Sequence, residues 1–72
     1  MEATDPLVRQ MTALLPYPLT EQWEERAAIL EFEANCSRDL AEARALLLVI
    51  WQQPSEVLTA FLSAERKPSH LI

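Results

Sequence analysis

The chain has no glycine, one cysteine and one histidine in 72 residues. Without glycine, tight two-residue hairpins and phosphate-cradling loops lose the residue that supplies their positive φ. A sheet protein is thereby disfavoured. Cys36 and His70 alone build neither an intrachain disulfide nor a closed zinc site, so no metal and no cofactor is expected. A lone thiol suits a reducing compartment, and a cytoplasmic location is the expectation. No stretch approaches the roughly 20 consecutive apolar residues that span a bilayer. Met1-Glu2-Ala3-Thr4-Asp5 is acidic where a signal peptide is basic, so no membrane association is expected.

Half of the residues are apolar, which argues against a disordered chain. Residues 1–72 form a single helical domain by length. A domain of this size buries only about 60% of its unfolded surface, and small scaffolds without disulfide or metal draw stability from association. The net charge of −5 is concentrated. Glu21, Glu24, Glu25, Glu31, Glu33, Asp39 and Glu42 face only Arg26 and Arg38 in the same stretch, while the rest of the chain is neutral. This balance opposes binding to phosphate backbones and favours basic protein surfaces or an ordinary solubilising face.

Prolines divide the chain into four helices, because proline opens a helix but breaks its interior. The spacing predicts an all-α compact four-helix bundle, with helices over about 6–15, 21–35, 38–53 and 55–67. Asp5 caps the first and Pro6 starts it. Pro16-Tyr17-Pro18 reads as an extended connector with Tyr17 either packed down as a lid, the favoured expectation, or presented outward, and Thr20 as the next N-cap. Asn35 suits a left-handed helix end and Ser37 caps the third helix. Residues 68–72 read as a loose tail.

The second helix has two apolar faces. Trp23, Ala27, Leu30 and Ala34 form the seam toward the core, and Ile29 and Phe32 project elsewhere. They are covered either by the first helix, which is the simpler expectation, or by a partner. The third helix is apolar all round from Ala45 to Trp51, which predicts enclosure on most sides and a cost of about 2–5 kcal/mol for Leu47→Ala. Ala41, Ala43 and Ala45 would let a neighbouring helix approach closely. Arg44 interrupts the stripe of Leu40, Leu48 and Trp51. Its head should reach water or a neighbouring carboxylate, or else anchor an acidic group on a partner. In the fourth helix, Val57, Leu58, Phe61 and Leu62 make one covering stripe, with Arg66 and Lys67 in the last turn.

No catalytic constellation is present. Cys36 has no sequence-adjacent base, and Glu31 and Glu33 diverge by about 200° on a helix, so they cannot share an ion. Helix, break and helix over Ile29 to Leu47 resembles a helix-turn-helix, yet the would-be recognition helix offers only Arg38 and Arg44 against Asp39 and Glu42. An acidic second helix imitating nucleic acid is a further alternative.

Glu25-Arg26-Ala27-Ala28-Ile29-Leu30-Glu31-Phe32-Glu33, followed by Arg38 and Ala41-Glu42-Ala43, resembles a segment that recurs in uncharacterised proteins of bacterial plasmids, integrative elements and phages. That segment reads roughly E-R-A-A-I-x-E-F-D-G-G-L-x-R-x-E-A-E. Ala34-Asn35-Cys36 stands here where the segment has G-G-L. The resemblance implies a mobile-element accessory protein, comparable with inhibitors that dock on a host protein or nucleoprotein complex, such as anti-CRISPR proteins. The resulting expectation is an acidic protein-binding module that acts by occlusion. Its site would be Ile29 and Phe32, ringed by Glu21, Glu24, Glu25 and Glu33. The alternative is a structural subunit that forms a homodimer or larger homo-oligomer through its apolar helices.

Overall fold

Asp5 opens the first helix through its carboxylate, which accepts hydrogen bonds from the Leu7 and Val8 amides at 2.8 and 3.2 Å. The computed structural model that shows this describes residues 3–69, with side chains for residues 3–64. Helix α1 runs Pro6–Ala13. It stops short of Leu15 because Pro16 follows: the Leu14 and Leu15 amides turn to Met11 O and Thr12 O in tighter i→i+3 bonds.

The structure corrects the extended Pro-Tyr-Pro connector. Helix α2, Tyr17–Glu33, begins inside it, with Pro16 as the extended N-cap and Pro18 in the first turn. A first-turn amide has no intrahelical acceptor, so the missing N–H of Pro18 costs nothing there. Pro16 O already accepts the Leu19 and Thr20 amides, and Thr20 turns its hydroxyl back to Leu15 O and Pro16 O instead of capping. Tyr17 is no lid either. Its ring is exposed, and a hydrogen bond to the Glu21 carboxylate, with that group's charge, raises the phenol above its ordinary value.

Asn35 adopts φ 55°, and the Ala34 and Cys36 amides both return to Leu30 O, which closes α2 through a left-handed residue. Ser37 then caps α3, Arg38–Gln52, by accepting from the Leu40 amide. Helix α4, Pro54–Ser69, leaves α3 at a bend of 106°. It takes Pro68 and Ser69 into the helix, contrary to the expected tail from residue 68; His70, Leu71 and Ile72 lie outside the described residues. The described residues contain four helices and no strand, an all-α four-helix fold. Among them no single helix is long and apolar enough to cross a membrane.

The core sits between α2 and α3, the principal pairing. Leu19, Trp23 and Ala27 meet Ala45, Leu46 and Val49, with Val8, Leu15 and Val57 sealing the sides. Ala27, Ala41 and Ala45 are buried, and their small side chains allow the close crossing. The expected seam holds through Leu30, but Ala34 is exposed beyond the helix end. Leu47 corrects the expected core: it is 64% exposed, whereas Leu46 is 4% exposed. One position is about 100° around a helix, enough to exchange core for solvent.

Glu42 is the other surprise of the interior, being completely buried. Its carboxylate accepts from the Thr4 amide and from Arg38 Nε, both at 2.8 Å, and its carbonyl accepts from Trp23 Nε1 at 3.0 Å. Burial pushes the carboxyl upward, but the Thr4 hydrogen bond and the Arg38 guanidinium outweigh it, and the net direction is down. The group pins the N-terminal segment onto α3. Arg9 Nε adds a bond to Ala3 O.

Candidate functional site

The outer face of α2 carries Glu21, Glu25, Ala28, Ile29 and Phe32 at i, i+4, i+7, i+8 and i+11, a single exposed stripe. Ile29 is 48% and Phe32 84% exposed. The first helix does not cover them, because α1 packs on α3 and the stripe points away from the Leu19, Trp23 and Ala27 seam. Of the acids expected around this pair, Glu25 and Glu21 share the stripe, Glu33 is exposed on one flank and Glu24 is half-buried on the other. Glu31 turns away to an ion pair with Arg38 at 3.2 Å.

A second open face lies on α3, where enclosure was expected. Leu40, Arg44, Leu47, Leu48 and Trp51 repeat at i, i+4, i+7, i+8 and i+11, and every one is exposed. With Leu30 of α2, the last four line a groove of about 460 Å³. Trp51 is 81% exposed, in contrast to Trp23 at 1%. Trp23 has its indole N–H satisfied inside, and Trp51 stands in solvent. At the far end of the hairpin, Arg26 bonds to Gln52 and Gln53 to Gln22, each at 2.7 Å. These polar pairs clasp α2 and α3 beside the groove.

Arg44 sits among these apolar groups. Its Nη1 lies 3.8 Å from Cys36 Sγ, a weak acceptor, and among the described residues no carboxylate pairs with it. Among the described residues the expected neighbouring carboxylate is not found, and the exposed head lies beside the thiol. Arg44 is a cation on an otherwise apolar stripe and is exposed, whereas Glu42 on the opposite stripe is buried, so a charge by itself does not fix which face of this helix meets water.

No group of three or more His, Cys, Asp or Glu side chains among the described residues is arranged to hold a metal ion. What the arrangement offers is shape and apolar surface, with one cation. Comparison with known protein families, curated proteins and solved structures finds no match to this chain.

Proposed function

We propose that the chain is a protein-interaction module whose α2–α3 hairpin docks on a partner protein and blocks the surface it covers. The observation that carries this reading is the exposure of Trp51 and Phe32, both above four-fifths. Aromatic side chains carry about 150–250 Å² each, so Phe32 on the α2 face and Trp51 on the α3 face each leave on the order of 150 Å² in water, a large apolar anchor on either face. Tryptophan is also among the residues that most often dominate binding energy. A membrane surface is a poorer fit, since a net charge of −5 is repelled by anionic headgroups. The resemblance of residues 25–43 to mobile-element proteins supports a host protein or nucleoprotein complex as the partner and inhibition as the outcome, as in anti-CRISPR proteins.

The test is affinity capture on the full chain, with Trp51→Glu and Phe32→Glu as paired variants. A true partner is retained by the native chain and lost by at least one variant, while helicity and melting temperature stay unchanged because neither side chain is in the core. A partner held equally by the native chain and both variants would remove these faces from the interface. The open α3 stripe also favours a second reading, a homodimer that closes this face symmetrically. Light scattering across a concentration series decides it: a monomer throughout argues against a dimer.

A further inference from the structure

We infer that the α3 groove receives an amphipathic helix of a partner protein that carries a carboxylate within its apolar face, seated on Arg44. The inference rests on the protein-docking reading and names the chemistry of the occupant. From Leu40 to Trp51 the stripe is about 16 Å long, or three helical turns, which matches a short helix laid in a groove with anchors at i, i+3 or i+4, and i+7. Its apolar lining, Leu30, Leu47, Leu48 and Trp51, supplies pockets for such anchors.

Arg44 selects the polar element. Any occupant of this groove strips water from the guanidinium, and a desolvated cation is tolerated only when a carboxylate arrives with good geometry. The Cys36 thiol does not meet that need. A planar guanidinium and a carboxylate form two parallel charge-assisted bonds, so one acid among leucines satisfies the site.

A second copy paired symmetrically through α3 does not supply that acid. The outward stripe of α3 contains no carboxylate, and of the acids in α3, Glu42 is held inside by Thr4 and Arg38 while Asp39 points about 120° away. Symmetric pairing of two α3 stripes would set Arg44 against leucine or its own copy. It would also bring together two chains of net charge −5.

The test uses the full chain and three synthetic 16-residue helical peptides with the same leucine stripe and a central Glu, Gln or Lys. Binding is read from the emission of Trp51, which shifts to the blue when the indole leaves water while buried Trp23 stays constant. The Glu peptide is expected to bind about tenfold more tightly than the Gln peptide, and the Lys peptide least well. Arg44→Gln is expected to erase the preference for Glu over Gln without changing the melting temperature. Equal binding of the Glu and Gln peptides to the native chain overturns the carboxylate and leaves the docking reading intact. No response to any peptide from a monomeric chain overturns the helical occupant, and a native dimer with Trp51 already blue-shifted assigns the groove to a second copy. Failure of the docking reading itself appears elsewhere, in the capture experiment with Trp51→Glu and Phe32→Glu.

Discussion

Two faces of α3 treat a charged residue in opposite ways. Glu42 and Arg44 are two positions apart, about 200° around the helix, and each lies on a stripe that is otherwise apolar. Glu42 is buried with donors from Thr4 and Arg38, and it welds the N-terminal segment, α3 and the Trp23 side of α2 into one unit. Arg44 has open apolar surface around it and a thiol for company. Apolar character alone does not tell core from open surface. The state of the nearest charge separates the two faces: Glu42 is supplied with partners inside the fold, and Arg44 is left exposed among open leucines.

The largest difference between the two faces is expected from the adjacent leucines. Leu46→Ala removes a buried side chain and should cost about 2–5 kcal/mol, enough to unfold much of a domain this small. Leu47→Ala, on the open face, should cost less than about 1 kcal/mol. Urea denaturation of both variants measures the ratio. Similar losses would mean that the two faces are packed alike in solution.

A smaller effect is expected at the two charges. Glu42→Ala leaves the Thr4 amide without its acceptor, frees Arg38 from its main partner and opens a cavity, a combined loss of about 2–3 kcal/mol. Arg44→Ala should stay within about 0.5 kcal/mol of the native chain, as surface changes do. Thermal melts at neutral pH compare them directly. If Arg44→Ala melts as early as Glu42→Ala, the guanidinium is a structural group and the groove loses its claim to be a binding surface.

The limits of the helices were legible because prolines and caps are local signals. Asp5 with Pro6, Asn35 with Ser37, and Pro54 each act within a turn of their own position, and the helices begin and end near them. Asn35 takes its positive φ at the end of α2, the place where a left-handed residue closes a helix. The Pro16–Pro18 segment misled because two restrictions compete there. The residue before a proline is biased to extended backbone, but a first helical turn tolerates proline, and the helix prevails. The register of α3 was hidden for a different reason: seven consecutive apolar residues give no polar reference from which to read a phase. Glu42 was invisible as a core residue because one of its partners is a backbone amide 38 positions away. The exposure of Ile29 and Phe32 depended on which helix α1 chose, and that choice is tertiary.

The smallest difference between the two faces is expected in their response to pH. The folded-state pKa of Glu42 is lowered, since the Thr4 amide and Arg38 together overcome burial, so the ionised form favours the folded chain. A depressed carboxylate contributes stability that is fully present above its unfolded value of about 4.5 and is lost as pH falls through the lower folded value. The native melting temperature should therefore fall with acidification below about pH 5, and part of that slope belongs to Glu42. Glu42→Gln cannot titrate and should start lower at neutral pH, then converge with the native chain toward the acid end. Arg44→Gln should run parallel to the native curve throughout, because its guanidinium stays charged over this range. Melting curves at half-unit intervals from about pH 3 to 7 separate the two patterns. Parallel curves for Glu42→Gln and the native chain would mean that the buried carboxylate does not hold the N-terminal segment in its ionised form, and the distinction between the two faces of α3 would then rest on the leucines alone.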